Sequence, residues 1–210
     1  MGMEWVKNNW LTRKWNERQE RIAEEKRLRA HFSEQYSTIN TAIAECNPDT
    51  ISTAFAKTEQ PNSFLSIYFS LFLRNALDTD DVETFKVVMA LTPAADVNYA
   101  FVSGSSGHDP DMVYSSRQVK PLLIKAIQDK KEAIATYLAK HPNIDFAALA
   151  SDYSYYRSGE TKKESTTYSD KASVEATKHG LNEVASILLT REANALKQQA
   201  LQVSNKPHVN

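Results

Sequence analysis

Three segments of this chain share one register at an interval of 50 residues, and that repetition confines the chain to architectures built by stacking a recurring unit. The anchors are Ala76, Ala126 and Ala176. Eight residues after each comes Thr84, Ile134 or Val184; eleven after, Val87, Tyr137 or Ile187; twelve after, Val88, Leu138 or Leu188. A fainter copy lies 33 residues upstream, with Ile43 as its anchor and Ile51, Ala54 and Phe55 at the same offsets. Each copy reads as two short helices joined by a turn, the second helix carrying its apolar residues on one face.

The turns support this division. Asn47-Pro48-Asp49 separates helices over 38–46 and 50–57, with Asp49 expected to cap the second. Gln60-Pro61-Asn62 breaks the chain, and the next unit places Leu65, Phe69, Phe72 and Leu73 on its first helix. Asp78-Thr79-Asp80-Asp81 then precedes a helix over 82–91. The third unit opens at Lys120-Pro121-Leu122-Leu123, where proline suits a first helical turn, and its second helix spans 132–140. The fourth turns at Lys178-His179-Gly180, with glycine supplying left-handed backbone. A final helix is expected over 191–203, with Leu196, Ala200 and Val203 on one face, before a frayed tail over 205–210.

At these residues the chain resembles the ankyrin-repeat family. Ala95-Asp96-Val97-Asn98 matches the closing element of that repeat, and Asn143-Ile144-Asp145-Phe146 is a softened version. Lys178-His179-Gly180-Leu181-Asn182-Glu183-Val184-Ala185-Ser186-Ile187-Leu188-Leu189 follows its turn and second helix. The interval of 33 is that family's period, and 50 is the period plus 17 inserted residues. The Thr-Pro-Leu-His opening is nowhere complete. The resemblance implies an all-α, ankyrin-type helical repeat array of about four units, with capping helices at both ends and two extended loops. A plain three-layer helical bundle is the competing architecture.

The expected division is an N-terminal, Trp-rich helical cap over 1–37, repeats over 38–190 and a C-terminal cap and tail over 191–210. The repeats occupy 38–60, 63–99, 120–146 and 170–190, with finger insertions at 100–119 and 147–171. In the ankyrin arrangement these insertions project beside the concave face. Their Tyr, Ser, Gly and Asp content is the mixture that serves adaptable protein-binding surfaces. Tyr153, Tyr155, Tyr156, Arg157 and Tyr168 are the leading contact candidates, with Tyr114 and Arg117 in the first finger. Solvated loops are the plainer reading of the same residues.

Composition narrows the function. A net charge of -1 gives no field for nucleic acid, and basic residues interleave with acidic ones rather than clustering. The one cysteine, Cys46, cannot form an intramolecular disulfide and reads as a small core residue. His31, His108, His141, His179 and His208 lack metal-ligand spacing, and His108-Asp109-Pro110-Asp111 offers too few ligands alone. Ser103-Gly104-Ser105-Ser106-Gly107 has no following Lys-Ser/Thr, so it does not read as a phosphate loop. Neither a signal peptide nor a membrane-spanning run is visible, which suggests a cytoplasmic protein.

Trp5, Trp10 and Trp15 do not share one helical face, so the N-terminal segment is expected to cap the array; membrane contact or partner binding is the other reading of it. The expected function is non-enzymatic protein binding through the fingers and concave face, as an inhibitor, adaptor or effector. The free protein is expected to be a monomer without cofactor or metal. An effector would reach a host cell without a Sec signal. A membrane-associated adaptor and an enzyme with a finger-loop site are the alternatives.

Overall fold

The computed structural model describes residues 2–58, 61–91, 96–109 and 112–204. Eight helices and four strands run in the order α1 (Gly2–Ala44), α2 (Pro48–Ala56), α3 (Pro61–Thr79), α4 (Val82–Ala90), β1 (Ala100–Asp109), β2 (Met112–Pro121), α5 (Leu122–Gln128), α6 (Glu132–Lys140), β3 (Ser151–Ser158), β4 (Thr161–Tyr168), α7 (Ala172–Lys178) and α8 (Asn182–Ser204) among the described residues. The strands form one antiparallel sheet in the order β1-β2-β3-β4. The chain is therefore mixed α/β, and the all-α, ankyrin-type helical array with two extended loops is overturned. Both fingers are β-hairpins, and β2 of the first pairs with β3 of the second.

The helices bury the repeated residues. Ala76, Ala126 and Ala176 are wholly buried, as are Thr84, Ile134 and Val184 and then Val88, Leu138 and Leu188. Helices α2, α4, α6 and α8 contact one another in sequence, while α1 packs on α3 and α5 on α7. Each Val, Leu or Ile side chain fully buried at such a contact stabilises by about 1.5–3 kcal/mol. The backbone repeats as well: Asp80, Lys130 and Gly180 all take positive φ, at 56°, 56° and 78°. Glycine costs nothing there, whereas Asp80 and Lys130 carry a Cβ into the left-handed region.

Polar side chains tie neighbouring units. Asp80 Oδ1 accepts from the Ile134 amide at 3.3 Å. Asn98 Nδ2 donates to the Asn143 carbonyl at 2.9 Å, and Asn98 Oδ1 accepts from the Asp145 amide at 2.6 Å. Arg191 closes the end of α6: Nη1 donates to the Ala139 and His141 carbonyls at 2.8 and 2.6 Å, and Nη2 to Pro142 at 3.0 Å. Ala139 lies in the last turn of α6, whose carbonyls a helix end leaves without partners, and His141 and Pro142 follow it directly.

Several boundaries differ from expectation. The N-terminal segment and the first helix of the first unit are one helix, α1, and among its described side chains Ile39, Ala42 and Ile43, near the C-terminal end, are buried. Nothing in the 32–46 stretch breaks it, since it holds no Gly or Pro. Asn47, not Asp49, caps α2: its Oδ1 accepts from the Asp49 and Thr50 amides, both at 3.1 Å, and Pro48 takes the first helical position. Lys120 and Pro121 end β2, so α5 starts at Leu122. The expected final helix over 191–203 is the continuation of α8, and Leu196 there is 66% exposed rather than closing a core. Cys46 is exposed, at a positive φ of 50°, and is not the core residue expected. The side chains of Trp5, Trp10, Trp15, Leu65, His108, Asp109 and Val203, the residues Gln60, Ala95, Pro110 and Asp111, and the tail 205–210 lie outside the described residues.

Candidate functional site: a four-stranded sheet made by two fingers

The sheet is rooted in the helical core. Phe101 is buried against Tyr99, whose ring in turn meets Phe69 at 5.4 Å. The Arg74 guanidinium lies 5.7 Å from the Phe101 ring centre. Pro121 leads directly from β2 into α5 and has no N–H to leave unpaired. At the root of the second finger, the Ser169 amide donates to the Ala150 carbonyl at 2.9 Å, and the Ala150 amide donates to Ser169 Oγ at 2.9 Å. Gly159 opens the tight β3–β4 turn with φ of 56°.

Register sorts the expected contact residues onto two faces, because successive side chains of a strand alternate. Arg117 stands opposite Tyr153, Ser115 opposite Tyr155, Val113 opposite Arg157, and Ser151 opposite Tyr168. Arg117, Tyr153, Tyr155, Arg157 and Tyr168 therefore share one face. Tyr114 stands opposite Tyr156 on the other face, beside Lys163. The structure thus brings all seven candidates into one sheet but divides them five and two.

The first face is anchored by β3. Lys162 Nζ lies 5.6 Å from the Tyr155 ring centre and 3.6 Å from Glu164. Partial loss of solvent, and then hydrogen bonding and charge from Glu164, hold the Tyr153 phenol above its usual range, so it stays neutral at ordinary pH. The side chains of Arg117 and Arg157 make no ion pair or hydrogen bond among the described residues. Tyr168 is 68% exposed on the edge strand.

The second face carries a row of four serines, Ser105, Ser116, Ser154 and Ser165. They bond in pairs, Ser105 Oγ to Ser116 Oγ at 3.0 Å and Ser154 Oγ to Ser165 Oγ at 2.7 Å. Next to that row, Tyr114 and Tyr156 are 43% and 39% exposed. Nearer the base, Gln118 Nε2 donates to Asp152 Oδ2 at 3.0 Å, and these two residues join Lys120, Gln128 and Thr167 in lining a shallow cleft between sheet and α5.

Gly104 and Gly107 also belong to the site, and the sequence reading passed over them. Gly104 stands opposite Arg117 and Gly107 opposite Tyr114. Nothing in the sequence pairs them with Arg117 and Tyr114: in β3 as well, Tyr153, Tyr155 and Arg157 fall on alternate residues but Tyr156 lies between them, so no alternation of residue type marks the faces.

Among the described residues no group of three or more His, Cys, Asp or Glu is placed to hold a metal ion, and no helix is long and apolar enough to cross a membrane. Comparison with family models, curated proteins and solved structures finds no match to this chain.

Proposed function

We propose that the protein is a non-enzymatic binding module that takes a partner protein through the sheet formed by its two fingers. The observation that carries this reading is the union of the two hairpins into one surface, with seven Tyr and Arg contact candidates held on a buried helical base. A surface of this kind is organised before binding, which lowers the ordering cost of association. Tyrosine supplies large contact area with few rotatable bonds, and its hydroxyl tolerates bound water. The expected role in the cell is occlusion or recruitment of that partner.

The test compares two paired variants in affinity capture from source-cell lysate. Tyr153→Ser with Tyr155→Ser strips one face; Tyr114→Ser with Tyr156→Ser strips the other. A stoichiometric protein captured by the wild type and lost in at least one pair supports the reading. Capture by both pairs at the wild-type level, or no capture by the wild type, contradicts it.

A further inference from the structure

The two edges of the sheet are built differently. In β1 and β2, the Leu122 amide donates to the Tyr99 carbonyl at 2.7 Å, which fixes the phase of the ladder. With the observed register, Val102, Gly104 and Ser106 then turn their backbone N–H and C=O groups away from β2. The same phase argument runs from the Ser169 amide to the Ala150 carbonyl, and makes Lys162, Glu164, Thr166 and Tyr168 the residues whose backbone faces outward on β4. Long charged side chains on an edge strand block pairing with another chain. β4 has them at Lys162 and Glu164. β1 has a valine, a glycine and a serine, all exposed, with Val102 at 57%. No described strand pairs with that side of β1.

The residues behind this open edge are also placed to reach past it. Each glycine of β1 stands opposite one of the first finger's two contact candidates. Gly107 leaves room for Tyr114, whose ring lies across it. Gly104 puts no side chain beside Arg117, whose guanidinium has no partner among the described residues. A strand added to β1 would therefore meet backbone groups along the edge, Arg117 on one face and the Tyr114 ring on the other.

We infer that β1 is a docking edge for an extended segment of a partner protein, added as a fifth strand, with an acidic side chain of that segment taken by Arg117. This rests on the protein-binding reading above and assigns its mode: main-chain hydrogen bonds supply affinity, and the two side chains crossing the glycines supply specificity. The charge argument favours this occupant over a second copy of the chain. Two β1 strands paired about Gly104 would direct both Arg117 side chains toward one row of one face, with no anion between them.

The experiment pans a displayed library of random linear peptides against the full chain and measures enriched peptides on three variants. Ser106→Pro removes an outward amide without touching a bond to β2, and proline is tolerated on edge strands. Arg117→Ala removes the cation; Tyr155→Ser reports on the face of β3. Circular dichroism and thermal melting confirm that each variant is folded. The expected result is a set of peptides carrying Asp or Glu at one fixed position. They lose about tenfold or more in affinity on Ser106→Pro and on Arg117→Ala. Peptides insensitive to Ser106→Pro but lost on Tyr155→Ser would overturn the edge while leaving protein binding intact. Acidic peptides bound by Ser106→Pro as by the wild type would overturn it too. A dimer in light scattering that Ser106→Pro dissolves would give the edge to a second copy instead. No enriched peptide at all would count against both this inference and the reading beneath it.

Discussion

The ring of Tyr114 lies across Gly107, so near that a methyl group on that glycine would come within 2.3 Å of the ring's Cε1. Gly104 is crowded differently: a methyl there would come within 2.5 Å of the Ser116 carbonyl oxygen, which is backbone. A ring can swing aside, and a strand cannot. Gly107→Ala should therefore displace Tyr114 at small cost, whereas Gly104→Ala should cost about 1–3 kcal/mol, as overfilling a packed site does. Chemical denaturation separates the two, and the tyrosine ring resonances report Tyr114. Equal destabilisation, or Tyr114 signals unmoved in Gly107→Ala, would contradict this arrangement.

Arg191 joins the last unit to the end of α6 through three carbonyls. Arg191→Met removes the guanidinium, which also lies over the Phe146 ring, and leaves the carbonyls without that donor; the loss should be about 1.5–3 kcal/mol. Arg191→Lys should recover little of it, because an ammonium cannot reproduce the fork. Urea unfolding of the two variants measures this, and full recovery by lysine would refute the clamp.

Lys130 and Asp80 occupy equivalent left-handed turns, so glycine should act on them in opposite senses. Lys130→Gly relieves Cβ strain and should gain up to about 1 kcal/mol. Asp80→Gly relieves the same strain but removes the acceptor of the Ile134 amide, and should gain nothing or lose. Melting temperatures that rise equally in both would show that the inter-unit bond contributes nothing.

Asp81 caps α4 by accepting from the Thr84 amide at 2.7 Å, and that bond holds its carboxyl below the ordinary value of 3.8. A depressed pKa means the folded state prefers the carboxylate. The cap's contribution is thus complete above the unfolded value and lost as pH falls through the folded one. Asp81→Ala should cost about 1 kcal/mol at neutral pH, and its difference from the wild type should shrink in strong acid. A difference that is constant with pH would mean the carboxylate is not what caps the helix.

The helix pairs were legible because three of the four positions that recur at 50 residues have no solvent exposure, from Ala76 and Val88 to Ala176 and Leu188, and the fourth, at Val87, Tyr137 and Ile187, packs against that core. The sheet was not. Its strands carry Ser, Thr and Tyr on both faces, so no alternation of apolar and polar residues marks them as strands. Pairing of β2 with β3 is also beyond local reading, since α5 and α6 lie between them in the chain. Arg157 and Tyr156 show the consequence: neighbours in sequence and both contact candidates, they stand on opposite faces. At the first turn the expectation fell on Asp49, but Pro48 takes the first helical position, which makes Asn47 the cap instead.

Binding through the fingers requires that the two form one sheet, and a cross-link tests that directly. Ser116 and Ser154 face each other across β2 and β3 as a pair that exchanges no backbone bonds, the closer kind in an antiparallel ladder at about 4.5 Å between Cα atoms. That separation suits a disulfide. In a Cys46→Ser background, Ser116→Cys with Ser154→Cys should oxidise in air to a monomeric disulfide, detected by mass and by mobility on a non-reducing gel. Free thiols persisting under the same oxidation, in a chain that remains folded, would mean that the two fingers do not share a sheet.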